Sequence, residues 1–141
     1  MKILVCYDAS PVAGRALEKS IRMAKNLDAE MHLFNSIPPL KESTEVFEFI
    51  KNKDEEEIER RKKFMAEAEA AVNKTGLSCR THISNKGKRT GEDIVETAAE
   101  IGADYLVIGV RRRSKFEKMV FGSNVQHVVL HSPCPVVTVN E

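Results

Sequence analysis

Residues 104–139 read DYLVIGVRRRSKFEKMVFGSNVQHVVLHSPCPVVTV, and the rest of the chain repeats their pattern of strand, loop and helix. An apolar run ends at Gly109, a basic loop follows, and Gly122–Ser123 opens a helical pattern that stops before Pro133. Glycine at the end of a strand permits close backbone approach. The start of a helix presents unpaired N–H groups and the positive end of its dipole. This order of elements is suited to holding a phosphate group.

The alternation of strand and helix runs through the whole chain. Apolar runs predict five strands, at Lys2–Tyr7, Glu30–Asn35, Leu77–Ile83, Asp104–Gly109 and Pro135–Val139. Apolar residues at helical spacing predict four helices, at Pro11–Leu27, Asp54–Lys74, Thr90–Ile101 and Gly122–His131. Such alternation predicts an α/β fold with a parallel sheet and helices on both faces. The third strand is the least apolar, which favours a place at the sheet edge.

Several short signals mark the ends of these elements. Ser10–Pro11 is a good N-cap followed by a good first helical residue. Thr90, with Asp93 three residues later, predicts a capping box, and Gly102 predicts a helix end. The apolar residues of Thr44–Ile50 are compatible with a short helix or with a packed flap.

The composition narrows the class of protein. A chain of 141 residues with 42% hydrophobic and 30% charged residues predicts one soluble globular domain. Its net charge of +1 argues against bulk attraction to nucleic acid or membrane. No apolar run approaches the ~20 residues of a membrane span, and the chain enters a strand at once, so no signal peptide is expected. Three widely spaced cysteines predict reduced thiols and a cytoplasmic location.

The chain resembles the universal stress protein family. The ATP-binding members carry Gly, two residues, Gly, nine residues, Gly, then Ser or Thr. Gly109 takes the first place of that motif and Gly122–Ser123 the last two, whereas Arg112 replaces the second glycine. The likeness extends from Lys2–Ser10 at the front to Cys134–Val137 at the back.

This resemblance implies a fold, a ligand and an assembly. The fold is a five-stranded parallel sheet of order 3-2-1-4-5 in three α/β/α layers, Rossmann-like and of the adenine nucleotide alpha hydrolase-like type. Residues 1–141 would form a single domain. The implied ligand is ATP, with AMP or ADP as alternatives and Mg²⁺ as a companion ion. The implied assembly is a homodimer that pairs through Val136–Val139, with a stress-response role and an unknown protein partner.

Candidate site residues follow from the strand order. Ligands of such sheets bind where the order reverses, here at the carboxyl ends of strands 1 and 4. The cofactor-binding candidates come from the ends of strands 1, 2 and 4, the basic loop and the last helix start. They are Asp8, Ala9, Ser10, Ser36, Ile37, Gly109, Val110, Arg111, Arg112, Gly122, Ser123 and Asn124. By resemblance, Asp8 would meet ribose or a metal, and Ser36 and Ile37 would form a backbone wall against adenine.

Each candidate has a plainer explanation. Asp8 could cap the first helix together with Ser10, and Gly122–Ser123 could serve turn and capping chemistry alone. The cluster Arg111–Arg113 could clamp phosphate, contact an acidic partner or RNA, or be a solvated basic loop. Arg112 also restricts backbone approach where the family has glycine.

The remaining reactive residues predict no catalytic centre. His127 and His131 have a zinc-compatible spacing without an evident third ligand, so a surface pair is expected. Cys6 and Cys134 are predicted to pack, and Lys86–Arg89 is a weak candidate for reaching phosphate. Because no nucleophile–base–orienter set is visible, a regulatory nucleotide-binding protein is favoured over an efficient enzyme. A nucleotide-free interaction module and a weak ATPase are the alternatives.

Overall fold

The computed structural model describes residues 1–37, 47–111 and 121–141, with the side chains of 47–54 left aside. Its strands are β1 Lys2–Cys6, β2 Glu30–Ser36, β3 Cys79–Ser84, β4 Tyr105–Val110 and β5 Val136–Asn140. Its helices are α1 Pro11–Leu27, α2 Phe47–Asn73, α3 Thr90–Ile101 and α4 Ser123–His131. The predicted alternation of strand and helix is therefore confirmed. None of the helices in these ranges has both the length and the apolar composition needed to cross a bilayer.

The strands form one parallel sheet of order β3-β2-β1-β4-β5, as the resemblance implied. Val5 of β1 pairs with Leu33 of β2 on one side and with Val107 of β4 on the other. The chain moves outward from β1 to β3 and then returns to β4 beside β1. The order thus reverses between β1 and β4, and β3 lies at an edge as expected.

Two apolar layers cover the two faces of the sheet. Alternate residues of β1 point to opposite faces, so Ile3 and Val5 join one cluster and Leu4 joins the other. The first cluster includes residues of α1 and α2, and the second includes Ile94 of α3 and Val128 of α4. Burial of each large aliphatic side chain contributes about 1.5–3 kcal/mol. The three-layer α/β/α arrangement is confirmed.

Capping residues were predicted for the starts of α1 and α3, and the structure agrees with the prediction only for α1. Ser10 is the N-cap of α1, and its Oγ accepts a hydrogen bond from the Ala13 N–H at 3.3 Å. The capping box predicted for α3 is wrong, because Arg89 is the N-cap, without a side-chain bond, and Thr90 is already helical. The Asp93 carboxylate instead accepts a hydrogen bond from the Ser36 hydroxyl at 2.9 Å. A tertiary partner on β2 has displaced the local one.

Other boundaries move by a few residues. The helix predicted from Asp54 begins at Phe47, so the ambiguous segment before it is helical from that residue, while 44–46 lie outside the described ranges. Gly102 ends α3 in the left-handed region, with φ of 66°, as predicted. Gly122 rather than Ser123 is the N-cap of α4.

Candidate functional site

A cavity of about 340 Å³ lies at the carboxyl ends of β1, β2 and β4. Nine of the twelve predicted residues line it, namely Asp8, Ser10, Ser36, Gly109, Val110, Arg111, Gly122, Ser123 and Asn124. Ala9 and Ile37 are not among its lining residues, and Arg112 lies outside the described residues, as does Arg113. Segments that are far apart in the sequence thus converge at the point where the strand order reverses.

Ala9 shapes the loop between β1 and α1 without facing the cavity. Its φ of 63° is left-handed, which is uncommon for a residue with a side chain. The turn allows the Asp8 carboxylate to accept a hydrogen bond from the Ser10 N–H at 3.0 Å. Asp8 therefore supports the helix start and also lines the cavity, so both explanations offered for it fit the geometry.

Arg111 crosses from the end of β4 to Asp8. The Arg111 guanidinium donates from Nη2 to the Asp8 carboxylate at 3.2 Å, and both side chains are about half exposed. An exposed ion pair of this kind stabilises a fold by at most about 1 kcal/mol. Its importance lies in position, because it places a guanidinium and a carboxylate together at the cavity.

Gly109 is required by the packing of the protein itself. A Cβ atom on this residue would lie 3.0 Å from Val12 Cγ2 and 3.1 Å from the Val12 carbonyl oxygen. The first turn of α1 therefore approaches β4 at a distance that only glycine accommodates without a shift. We expected Gly109 to let a phosphate approach the backbone closely. In the structure, α1 approaches the backbone at this position.

The start of α4 borders the cavity and is joined to α3. Gly122 is the N-cap, so the cap residue itself offers no side-chain hydrogen bond, and none of the side chains in 1–37, 55–111 and 121–141 caps the first-turn N–H groups. Such a helix start favours an anion. The Asn124 side chain is already engaged, because its Oδ1 accepts from the Gly91 N–H at 3.1 Å. Asn124 thus holds α4 against α3.

Sequence reasoning missed a cation on α2. Arg61 lines the cavity, where Nη1 donates to Asn35 Oδ1 at 2.8 Å and to the Ser36 carbonyl at 2.9 Å. Its Nε donates to Glu57 at 2.9 Å. Hydrogen bonds from Arg60 first, and then from Arg61, lower the pKa of the Glu57 carboxyl to about 2. In the sequence, Arg61 is one residue of a mixed charge run that is typical of a solvated helix face, so no local signal marked it.

Two backbone groups of the wall expected against adenine already have hydrogen-bond partners within the protein. The Ile37 N–H donates to the Ser84 carbonyl at 2.8 Å, which continues the pairing of β2 with β3. The Ser36 carbonyl accepts from Arg61. At this end the cavity lining also includes Phe34, Asn35 and Arg61, which had not been predicted as site residues.

The reactive residues of the sequence fall into structural roles. Cys6 lines the cavity, and burial followed by the nearby Asp8 charge raises the pKa of its thiol to about 12, so it stays protonated. The rings of His127 and His131 stack at 4.3 Å, and within the described ranges no three metal-ligating side chains are grouped. Lys86 and Lys88 are paired with Glu96 on α3, which accounts for their charge.

A buried histidine network lies between β2 and β3. His32 contacts Glu30 Oε1 through Nε2 at 2.6 Å and His82 Nε2 through Nδ1 at 2.7 Å. Because the carboxylate accepts, His32 donates from Nε2 to Glu30, and the ring nitrogens of His32 and His82 share one further hydrogen bond. Burial lowers the pKa of His82, with His32 and Arg80 adding to the effect. The network satisfies a histidine that is only 3% exposed and is separate from the cavity lining.

Comparison with known proteins gives a consistent picture. A model of the universal stress protein family matches residues 1–140. A universal stress protein of Thermus aquaticus is 31% identical over 97% of this chain and 96% of its own length. A universal stress protein structure from Archaeoglobus fulgidus has a TM-score of 0.77 at 26% identity, covering 99% of this chain and 93% of that one. A structure of the universal stress protein from the same organism in complex with dAMP has a TM-score of 0.72 at 25% identity, covering 99% and 97%.

Proposed function

Because this chain belongs to the universal stress protein family, we propose that it is a regulatory protein that binds an adenine nucleotide in the cavity at the ends of β1, β2 and β4. The observation that carries the proposal is the convergence of nine predicted residues on one cavity of about 340 Å³. Ligand pockets have volumes of roughly 300–1,000 Å³, so the space suits a mononucleotide. The Archaeoglobus fulgidus relative in complex with dAMP supports the same ligand class.

The proposed pose follows the charges around the cavity. The phosphate lies at the start of α4, near Gly122 and Ser123, with Arg111 as a cationic partner. The ribose lies near Asp8, whose carboxylate can accept from its hydroxyls. The base extends toward the end of β2, where Phe34 and Ile94 supply apolar wall. ATP is the expected ligand, and AMP and ADP fit the same pose with fewer phosphates.

Mg²⁺ would depend on the nucleotide for most of its ligands. Asp8 is a carboxylate at the proposed ribose and phosphate region, and it is already paired with Arg111. Protein sites commonly hold Mg²⁺ through one or two carboxylates together with substrate phosphates and water. Asp8 therefore fits a magnesium–nucleotide complex as one ligand, and the ion would neutralise phosphate charge there.

A regulatory role is favoured over catalysis by the chemistry of the lining. Cys6 is kept protonated, and Asp8 is tied to Arg111 and to the α1 start, so neither is poised as a nucleophile or base. Nucleotide occupancy would instead shift the segments 86–91 and 110–121, of which 112–120 lie outside the described residues, and so change binding of a partner protein. Such a shift requires unequal nucleotide affinity for the two arrangements.

The test is calorimetric titration of ligand-stripped protein with AMP, ATP and GTP. We expect adenine-selective binding, and about 2.7 kcal/mol of added unfolding free energy at 100-fold excess over the dissociation constant.

Arg111→Gln should weaken AMP binding about tenfold or more, because a charge-assisted phosphate contact is lost. Arg22→Gln is the control, since it makes the same charge change on an exposed part of α1. Absence of both heat and stabilisation would favour the nucleotide-free interaction module, and steady phosphate release from ATP would favour the weak ATPase.

The same family membership leads us to propose a cytoplasmic homodimer. The edge strand β5 has the sequence VVTVN, without a charged residue, whereas the opposite edge strand β3 carries the charged Arg80. Charges on an edge strand discourage pairing with another chain, so β5 is the edge that is open to it. The three cysteines are unpaired, as expected in a reducing compartment.

A further inference from the structure

The base end of the cavity is lined by a fixed guanidinium. We propose that Arg61 contacts the base of the bound nucleotide and donates hydrogen bonds to its ring nitrogens. This inference rests on the proposed function and adds a specificity-determining residue to it.

Arg61 is held in place by three partners before any ligand binds. Glu57 accepts from Nε, while Asn35 Oδ1 and the Ser36 carbonyl accept the two hydrogens of Nη1. Asn35 is itself fixed, because its Nδ2 donates to the Tyr7 carbonyl at 2.9 Å. The guanidinium plane is therefore set by α2 on one side and by the ends of β1 and β2 on the other.

These three hydrogen bonds use only some of the N–H donors of the Arg61 guanidinium. A guanidinium has five N–H groups, of which three are used here. The two on Nη2 meet no acceptor within residues 1–37, 55–111 and 121–141. The side chain is only 17% exposed and lines the cavity. The Nη2 atom is accessible to solvent, so a ligand that brings acceptors into the cavity can take its hydrogens.

Arg61 and the proposed phosphate lie at opposite ends of the cavity. Arg111 and the start of α4 follow β4, whereas Arg61 is bonded to the last residues of β2, with β1 between them. Strands lie about 4.8 Å apart, so β2 and β4 are separated by about 10 Å. A nucleotide whose phosphate is at α4 therefore directs its base toward Arg61. The Ser36 hydroxyl gives its hydrogen to Asp93 and keeps lone pairs free, which can accept from an exocyclic amine.

Arg60 supplies a matched control on the same helix. It also bonds Glu57, through Nε at 2.9 Å and Nη2 at 2.8 Å, but its side chain is 59% exposed and is not part of the cavity lining. Arg60→Met and Arg61→Met thus remove the same charge and one partner of the same carboxylate. Only the second removes a donor from the cavity.

The experiment titrates the unmodified protein, Arg60→Met and Arg61→Met with AMP and with its 1-deaza, 3-deaza and 7-deaza analogues, each of which replaces one ring nitrogen with C–H. In the unmodified protein and in Arg60→Met, we expect at least one analogue to bind about tenfold or more weakly than AMP. In Arg61→Met, AMP should bind about ten- to a hundredfold more weakly, and the loss caused by that analogue should disappear.

Three results would overturn the inference. In the first, all analogues bind the unmodified protein as tightly as AMP does. This measurement uses no variant, so it decides the question even if Arg61→Met does not fold. Arg61→Met could bind AMP as Arg60→Met does. The analogue loss could persist in Arg61→Met, which would assign the contact to another group. If the unmodified protein bound no AMP, the proposed function itself would fail, and this inference with it.

Discussion

Asp93 is a carboxylate only 1% exposed, at the first turn of α3. One of its oxygens accepts from the Ser36 hydroxyl, and the other has no partner within the described residues. The Ser84 hydroxyl, on the residue paired with Ser36 across β2 and β3, is also buried without a described partner. The hydroxyl of Ser36 therefore serves the buried carboxylate, whereas that of Ser84, at the paired position, does not.

This difference predicts unequal effects of the same substitution. Ser36→Ala should lower the free energy of unfolding by about 1–3 kcal/mol, because it leaves the Asp93 carboxylate buried without a hydrogen bond. Ser84→Ala should change it by less than about 0.5 kcal/mol, or stabilise, because it removes an unsatisfied hydroxyl. Urea unfolding of the ligand-free variants measures both. Equal losses would mean that Ser36 is not the essential partner of Asp93.

The elements α1 and β4 each contain a glycine, and only the one in β4 is needed for their contact. Gly109 lies in β4 against the backbone of Val12, where an added Cβ would be 3.1 Å from a carbonyl oxygen. Gly14 lies within α1, exposed, and a Cβ there would meet nothing within 4 Å. The first glycine is needed for packing between the two elements, whereas the second only weakens its own helix.

We therefore expect Ala to act in opposite directions at the two positions. Gly109→Ala should destabilise the protein by about 1–3 kcal/mol, because the first turn of α1 must move away from the sheet. Gly14→Ala should stabilise it by about 0.5–1 kcal/mol, through the better helix propensity of alanine. Midpoints of guanidinium unfolding compare the two. A neutral Gly109→Ala would show that α1 can move at little cost.

One edge strand of the sheet, β3, carries a charged residue, and the other, β5, does not. The proposed homodimer pairs through β5. Thr138 is the exposed central residue of β5, and Arg80 is an exposed residue of β3. Thr138→Asp places a charge on each of two chains that would meet at β5, so it should convert the dimer to a monomer. Arg80→Asp, at the opposite edge, should leave the dimer intact. Sedimentation equilibrium gives the masses, and a monomeric unmodified protein would contradict the pairing.

The fold was largely predictable because its signals are local. Apolar runs and helical spacing identified the five strands and four helices of the described residues to within a few residues, except for the seven-residue extension at the start of α2, from Phe47 to Lys53. Ser10 and Gly102 marked helix ends that the structure has at the same residues. The strand order required the family resemblance, since periodicity does not say which strands are neighbours. Arg112 and its effect on the motif lie outside the described residues and stay a prediction.

The sequence by itself determined the order of elements and, once the family resemblance supplied the strand order, nine of the residues that line the cavity, because strand ends at a switch point are set by topology. Only the tertiary structure decided which groups those residues meet. Asp93 pairs with Ser36 instead of capping its own helix, Gly109 accommodates α1, and Arg61 leaves a charged helix face to line the cavity. Each of these outcomes is a contact between residues distant in the chain. Local patterns carry no record of such contacts, since they depend on how the helices pack against the sheet.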